Sequence, residues 1–264
     1  MNLSQHIDAV NKRNEKALSV FLTAGFPFKE NFTDTALSVL DSGADILELG
    51  IPFSDPLADG PVIQHSSQIA LENKVNIKCV LEYTSKIKSK TSKPVVLMGY
   101  ANPVLNYGLE KFFSDASNAG ADAVIIPDVP LDEYDEFYGS NNGLLDTVML
   151  TTPYSSAERI VKADELSRGF IYCVSVYGTT GERVSFSKET LQALEETRKK
   201  IKKNKMLIGF GISSPESIRS IAPFSDGVIV GSAIIKKLFE VREGKSMSTV
   251  TDYVKSLKEA CLGG

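Results

Sequence analysis

The sequence predicts an α/β fold, a (β/α)8 TIM barrel with additional N- and C-terminal helices, in a single domain over residues 1–264. Three observations predict it: eight short apolar runs, amphipathic helical segments between them, and a turn pattern that recurs before several of the runs. The length suits one barrel domain, and no Gly/Ser-rich linker divides the chain. The run pattern alone leaves an open doubly wound sheet as the alternative.

The apolar runs are interpreted as strands. They are continuous rather than alternating, as strands buried on both faces should be. The predicted strands are LSVFLTA (18–24), DILELG (45–50), PVVLMGY (94–100), AVIIPD (123–128), TVMLTT (147–152), FIYCVSV (170–176), MLIGFG (206–211) and GVIVG (227–231).

Helical patterns fill the intervals between these runs. In residues 30–42 the apolar side chains fall on one helical face, and SGAD at 42–45 ends that helix before the next strand. AGAD at 119–122 repeats the device, and SDG at 225–227 resembles it more loosely. This internal repeat indicates successive βα units. The pattern at 246–261 predicts an additional closing helix.

Composition and charge exclude several classes of protein. The chain is 42% hydrophobic and 23% charged, with a net charge of −4 that gives no attraction to nucleic acid or to an anionic membrane. No run approaches the roughly 18 apolar residues of a membrane span. The three cysteines, Cys79, Cys173 and Cys261, form no CxxC pair, so we expect a reducing cytoplasm rather than disulfides or a zinc site. The basic run at 198–205 is interpreted as the end of a solvated helix.

An acidic residue stands near the end of the second predicted strand. Glu48 lies between Leu47 and Leu49. Burial among apolar groups disfavours the charged carboxylate, so we expect its pKa to rise toward neutrality, which suits a group that both gives and takes a proton. A structural salt bridge at the barrel rim is the alternative.

The loop that follows is stiff and acidic. Pro52, Pro56 and Pro61 restrict its backbone, so it can hold a second carboxylate, Asp59, over the barrel mouth. For Asp55 a local Asx turn is the more ordinary interpretation.

Glycine-rich turns follow the last two predicted strands. GFGISSPES (209–217) contains Ser213 and Glu216 at capping-box spacing, and Pro215 suits the first helical turn. In GSA (231–233) the serine is a predicted N-cap. Glycines and helix N-termini favour an anion, and barrels commonly bind phosphate after strands seven and eight. Ordinary tight turns are the alternative. The loop GTTGERVSF (178–186) can act as a lid or be a plain surface loop.

Taken together, these segments resemble the tryptophan synthase alpha chain family, in order and over nearly the whole chain. The segments that carry the resemblance are LELGIPFSDPLADGP (47–61), MGYANP (98–103), PDVP (127–130), GFGISSP (209–215) and GSAIIK (231–236). The resemblance implies reversible retro-aldol cleavage of indole-3-glycerol phosphate to indole and glyceraldehyde 3-phosphate. By the same resemblance, Glu48 is the catalytic acid/base, and Asp59 accepts a hydrogen bond from the indole N–H.

The resemblance also implies a substrate site. Backbone N–H groups would hold the phosphate at four positions: Gly181, Gly211, Gly231 and Ser232. Four aromatic side chains would form the indole pocket: Phe21, Tyr100, Tyr172 and Phe210. For any one of these aromatics, ordinary barrel packing is an equally good interpretation. Thr180 matches a lid threonine that closes near Asp59, whereas Val176 departs from the arginine of some family members.

The resemblance implies a partner but no cofactor in this chain. The family works with a beta chain that carries pyridoxal phosphate, in an alpha2beta2 heterotetramer. Three segments would face that partner: 52–60, Asn102–Tyr107 and Asp128–Asp132.

Two other functions are the competing hypotheses. Other barrel lyases or isomerases of phosphorylated substrates use a strand-end lysine or histidine. Here no lysine ends a predicted strand, and His6 and His65 fall in predicted helices. A non-catalytic activator of the beta chain would not need Glu48 and Asp59.

Overall fold

Within the residues that the structure describes, nine strands lie in one parallel sheet of order β5-β4-β3-β2-β1-β9-β8-β7-β6. The computed structural model describes residues 2–175 and 186–263. Within them the strands are β1 (Ala17–Thr23), β2 (Ile46–Gly50), β3 (Val95–Met98), β4 (Ala123–Ile125), β5 (Asp146–Thr147), β6 (Leu150–Thr151), β7 (Phe170–Val174), β8 (Lys205–Gly209) and β9 (Gly227–Val230). All eight predicted runs therefore contain strands.

One chain segment joins the two edges of this sheet. The edge strands β5 and β6 both overlap the predicted run 147–152, β5 beginning one residue before it, and Val148 and Met149 separate them. The Val148 N–H donates to the Val124 carbonyl on one side, and the Met149 carbonyl accepts the Tyr172 N–H on the other, both at 3.0 Å. Because both edges meet in consecutive residues, the sheet closes into the predicted barrel, and the open-sheet alternative is wrong.

Helices surround the strands. Within the described ranges they are α1 (Leu3–Asn11), α2 (Phe32–Asp41), α3 (Pro61–Glu72), α4 (Ile77–Lys88), α5 (Ala101–Tyr107), α6 (Leu109–Asn118), α7 (Tyr134–Tyr138), α8 (Ala157–Leu166), α9 (Lys188–Lys200), α10 (Pro215–Ile221), α11 (Ser232–Arg242) and α12 (Ser248–Ala260). The predicted closing helix is α12. The basic run belongs to the last turn of α9 and the residues after it, as predicted. Among these helices none is both long enough and apolar enough to cross a membrane.

The recurring turn before the strands has a physical cause. The turn aspartate accepts the N–H of a residue at or near the start of a neighbouring strand, and so fixes the amino end of the barrel. The pairs are Leu18 with Asp45 at 2.9 Å, Val95 with Asp122 at 2.8 Å, and Met206 with Asp226 at 2.8 Å.

Helix α1 covers the amino end of the barrel. Its buried side chains Leu3, Ile7 and Val10 belong to the same apolar cluster as the inward-facing Ala17 and Ile46. The helix begins there because Asn2 and Gln5 form a reciprocal capping box. With that end filled, the remaining interior space lies toward the carboxyl ends of the strands.

Candidate active site

A cavity lies at the carboxyl ends of the barrel strands. It encloses about 550 Å³ of space between atoms, part of it open to solvent. Its lining residues are Phe21, Glu48, Asp59, Ile63, Met98, Tyr172, Phe210, Gly211, Ile212, Ile229, Gly231, Ser232 and Ala233. Eight residues that the sequence singles out are therefore brought together from segments far apart in the chain.

Glu48 is completely buried in this cavity wall. It lies in β2, where Phe21 of β1 and Val96 of β3 are its register partners. The Ser19 hydroxyl donates to its Oε1 at 2.8 Å, whereas Oε2 has no hydrogen-bond partner within residues 2–175 and 186–263. Burial raises the pKa of Glu48 to about 7, and the Ser19 hydrogen bond opposes this rise. The predicted shift is thus present, and among the described residues the group that holds this carboxyl is the Ser19 hydroxyl rather than a salt bridge at the rim.

Asp59 is held over the cavity by its own loop. Its N–H donates to the Pro56 carbonyl at 3.2 Å, and its carbonyl accepts from Gln64 Nε2 at 2.8 Å. The Tyr100 hydroxyl donates to Asp59 Oδ2 at 2.9 Å. Asp59 is only 7% exposed, and burial raises its pKa to about 6, against the Tyr100 hydrogen bond, which lowers it.

The aromatic walls depend on two glycines. A Cβ at Gly50 would lie 2.4 Å from the Phe21 ring, and one at Gly209 would lie 2.3 Å from the Tyr172 hydroxyl. Each ring therefore rests on the bare backbone of the neighbouring strand. The rings of Tyr172 and Phe210 meet nearly edge to face, with centroids 6.0 Å apart.

Tyr100 stands apart from the other predicted pocket aromatics. It is not among the residues that line the cavity, and its hydroxyl instead contacts Asp59 and the Ala58 N–H. Its structural position is therefore that of a support for the acidic loop.

The backbone turns sharply at the end of β8. Phe210 has φ +70° and Gly211 has φ +74°, so two consecutive residues are left-handed, which is costly for a bulky aromatic. The buried Ser175 hydroxyl lies 2.9 Å from the Gly209 carbonyl oxygen and 2.7 Å from that of Phe210. These contacts stabilise the strained turn that aims Phe210 and Gly211 into the cavity.

The caps of the two following helices differ from prediction. The N-cap of α10 is Ser214, which forms a capping box with Ser217; the expected pair, Ser213 and Glu216, is one residue out of register. The N-cap of α11 is Gly231, and Ser232 is the first helical residue. Both errors follow from turns with adjacent serines or an adjacent glycine and serine, in which local sequence permits neighbouring start points.

The N-terminus of α11 opens onto the cavity. Gly231, Ser232 and Ala233 all line it, and the first N–H groups of a helix have no partner within the helix. Gly231 has φ −117°, which any residue can adopt, and a Cβ there would meet Phe21 at an ordinary 3.5 Å. Its lack of a side chain therefore leaves open space beside these N–H groups, where an anion would be stabilised.

The family model of the tryptophan synthase alpha chain matches residues 7–261. The chain belongs to the tryptophan synthase alpha chain family. The resemblance drawn from its motifs is confirmed. This family cleaves indole-3-glycerol phosphate to indole and glyceraldehyde 3-phosphate, a lyase reaction of tryptophan biosynthesis.

Relatives and solved structures agree with this assignment. The tryptophan synthase alpha chain of Petrotoga mobilis is 43% identical over 253 residues, which cover 93% of this chain and 96% of that protein. The structure of tryptophan synthase from Mycobacterium tuberculosis superposes with a TM-score of 0.89 at 32% identity, covering 99% of this chain and 98% of that one. The alpha subunit from Legionella pneumophila gives a TM-score of 0.88 at 34% identity, with the same coverage.

Some predicted alpha-chain site residues cannot be placed, and others were missed. Gly181, Thr180 and Val176 lie outside the described residues. Ser19 and Ser175 were not predicted as site residues, although each is a polar residue inside an apolar run. That interruption is the signal that could have found both, because a buried hydroxyl needs a hydrogen-bond partner.

The chemistry of the site rests on carboxylates and backbone amides. In the part of the chain that the structure describes, no three His, Cys, Asp or Glu side chains cluster closely enough to hold a metal ion. The described lining residues of the cavity contribute two carboxylates, one tyrosine, one serine and otherwise apolar side chains or glycines. Such a lining suits an apolar ring that carries one polar N–H and an anionic tail.

Proposed function

We propose that this chain cleaves indole-3-glycerol phosphate with Glu48 as the general acid/base and Asp59 as the partner of the indole N–H. The observation that carries the proposal is the environment of the Glu48 side chain. This carboxyl is wholly buried, lines the cavity, and has one oxygen without a partner among the described residues. A buried carboxylate oxygen is costly unless a hydrogen-bond donor satisfies it, so a substrate hydroxyl would complete the site.

The reaction needs two proton transfers. Protonation of indole C3 makes the ring a cation with its charge centred on N1. Removal of the proton from the hydroxyl on the attached carbon then forms the aldehyde carbonyl, the C–C bond breaks, and its electrons return to the ring. Indole and glyceraldehyde 3-phosphate result. A group with a pKa of about 7 populates both protonation states near neutral pH, and Glu48 has that value.

Asp59 stabilises the cationic ring. Its pKa of about 6 keeps it mostly ionised at pH 7. A carboxylate beside N1 interacts more strongly with the charge that develops in the transition state than with the neutral substrate, so it lowers the barrier. The positions of Phe21, Tyr172 and Phe210 around the cavity support their assignment as walls for the ring.

The substrate phosphate would bind at the other side of the cavity. Backbone N–H groups at Gly211, Gly231 and Ser232 are the proposed donors, together with Gly181, which lies outside the described residues. The space beside Gly231 and the N-terminus of an eleven-residue helix support this part of the proposal.

The partner would be a tryptophan synthase beta chain in an alpha2beta2 heterotetramer. Two leucines near the barrel mouth support a docking surface: Leu57 is 86% exposed and Leu105 is 54% exposed. The chain also matches 36% of the length of the tryptophan synthase of Saccharomyces cerevisiae, where the homologous unit is part of a longer polypeptide. The third segment assigned to the partner, Asp128–Asp132, is proposed on the resemblance alone.

Pyridoxal phosphate would be held by the beta chain. That cofactor forms a Schiff base with a lysine, and the lining of the cavity in this chain contains none among its described residues. The three free cysteines support a reducing, cytoplasmic location.

Replacement of Glu48 by glutamine tests the catalytic assignment. Glutamine keeps the shape but cannot transfer a proton, so we expect the rate of indole release to fall by about 10²- to 10⁴-fold. Glu165→Gln, at an exposed position of α8, is the matched control and should keep the parent rate. Parent-like cleavage by Glu48→Gln would refute the assignment of Glu48, whereas a parent chain that does not cleave the substrate would favour a non-catalytic activator.

A further inference from the structure

Ser19 is a hydroxyl placed in an apolar layer of the barrel interior. It lies in the middle of β1, is completely buried, and its register partners on the two neighbouring strands are Ile46 of β2 and Ile229 of β9. A hydroxyl between two isoleucines loses its hydration without compensation unless it finds a partner. Its partner is Oε1 of Glu48, at 2.8 Å.

This hydrogen bond divides the two oxygens of the carboxyl. Oε1 accepts a hydrogen bond from the Ser19 hydroxyl, and Oε2 has no protein partner in the described chain. Ser19 itself is not among the residues that line the cavity, so it reaches the reaction only through Glu48. A glutamate side chain has several rotatable bonds, and one fixed oxygen restricts where the other can point.

We propose that Ser19 is a positioning residue for the cleavage reaction: its hydroxyl fixes Oε1 of Glu48, presents Oε2 to the substrate, and favours the charged carboxylate. The inference rests on the proposed function, because it assigns the proton transfers to Glu48. It adds a residue that the motifs of the family did not indicate, since Ser19 precedes all of them in the chain.

The other groups around Glu48 leave this role to Ser19. The titratable groups that face it are Tyr172 of β7 and Asp59 of the loop after β2. Other strands around it contribute apolar side chains to the same cavity: Phe21 of β1, Met98 of β3, Phe210 just after β8 and Ile229 of β9. No Lys, Arg or His lines the cavity among the residues that the structure describes. Burial raises the pKa of Glu48, and the Ser19 hydrogen bond is the interaction that lowers it.

The test compares Ser19→Ala with Ser19→Thr. Alanine removes the donor and threonine keeps it. The matched control is Ser225→Ala, because Ser225 is also buried and its hydroxyl has no hydrogen-bond partner among the described residues. The Glu48 carboxyl is titrated directly by ¹³C NMR on protein labelled at the glutamate δ-carbon, with Glu48→Gln identifying its resonance. Thermal midpoints and the pH profile of kcat are measured on the same proteins.

The expected result is a pKa of Glu48 raised by about one pH unit in Ser19→Ala, because a hydrogen bond to the charged form is lost. The corresponding limb of the kcat profile should move by the same amount, with KM little changed. Ser19→Thr should titrate like the parent, as should Ser225→Ala.

Two outcomes separate failure of this inference from failure of the proposed function. If Glu48→Gln is inactive but Ser19→Ala titrates like the parent, the positioning role is wrong and the catalytic assignment stands. If Glu48→Gln cleaves at the parent rate, the catalytic assignment of Glu48 in the proposed function is wrong. A fall in thermal midpoint in Ser19→Ala without a change in titration would show a packing role only, and would also overturn the inference.

Discussion

The Tyr100 hydroxyl donates to Oδ2 of Asp59 at 2.9 Å and accepts the N–H of Ala58 at 3.1 Å. One side chain thus ties two successive residues of the 51–60 loop to the segment after β3. The distance between Tyr100 and Asp59 in the chain is 41 residues, so this contact exists only in the folded barrel. The prolines of the loop restrict its shape, and Tyr100 fixes where it points its carboxylate.

Tyr100→Phe should impair catalysis near neutral pH by raising the pKa of Asp59. The hydrogen bond from Tyr100 lowers the pKa of Asp59, so its loss should raise that pKa above about 6 and leave less carboxylate ionised at neutral pH. We expect roughly a tenfold loss of kcat/KM at pH 6.5, with partial recovery at pH 8. Tyr83→Phe is the control, because the Tyr83 hydroxyl donates a hydrogen bond to the Lys29 carbonyl and not to Asp59. An equal loss at both pH values would contradict this explanation.

Glu48→Gln should change how stability depends on pH. The folded pKa of Glu48 is about 7 and its ordinary value is 4.5, so the folded state binds this proton more tightly than the unfolded chain. The free energy of unfolding of the parent therefore falls as pH rises from about 4.5 to about 7, by up to about 3 kcal/mol from this group.

Glutamine does not titrate, so it removes the contribution of Glu48 to this fall in the free energy of unfolding. The variant should exceed the parent in stability at pH 8 and approach it at pH 5, in urea unfolding followed by circular dichroism. Because the pKa of Asp59 is also raised, the free energy of unfolding of the variant should still fall with rising pH, but by less than that of the parent. Glu165→Gln should follow the parent curve; parallel curves for parent and Glu48→Gln would contradict a shifted Glu48.

Gly231→Ala should weaken substrate binding while leaving the fold intact. The added methyl group makes only ordinary contacts within the protein, but it fills the space beside the first N–H groups of α11. We expect KM for indole-3-glycerol phosphate to rise about tenfold, with a loss of about 1 kcal/mol or less in unfolding free energy from the weaker N-cap. Gly139→Ala, where a Cβ would meet nothing within 4 Å, is the control. An unchanged KM would place the phosphate elsewhere.

Ser175→Ala should loosen the strained turn at Phe210. Loss of a buried hydrogen bond to the Gly209 and Phe210 carbonyls should cost about 1–2 kcal/mol, or roughly 2–6 °C in thermal midpoint. Because the turn carries Gly211 into the cavity, KM should rise as well. Ser225→Ala, which removes a buried hydroxyl without a partner in the described chain, should leave both quantities unchanged. A stability loss with an unaltered KM would separate the turn from substrate binding.

Leu57→Asp should affect only the response to the partner. The side chain is 86% exposed at the barrel mouth, so the isolated chain should keep its stability and its rate. Addition of purified beta chain should stimulate the parent more than the variant, and a binding titration should show at least about a tenfold weaker complex. Leu262→Asp is the control: Leu262 is 53% exposed and lies at the amino end of the barrel, next to Glu15. Equal weakening by both variants would argue against this docking surface.

The elements of the barrel could be predicted because their signals are local. A strand buried on both faces is an apolar run wherever it lies, and the SGAD and AGAD turns repeat within a few residues of the strands they precede. The N-caps at Ser214 and Gly231 were each predicted one residue away. Adjacent serines and glycines offer equivalent local caps, and packing chooses between them.

By itself the sequence determined the order of strands and helices, the acid in an apolar strand, the acid in a proline-rich loop and the glycines of the last two turns. Tertiary structure alone decided that Ser19 stands beneath Glu48, that Tyr100 supports Asp59 rather than lining the cavity, and that Ser175 holds the turn at Phe210. The partners in these three contacts are 29, 41 and 35 positions apart in the chain. Local patterns fix which face of a strand is buried, but only strand register and barrel closure fix which side chain meets which.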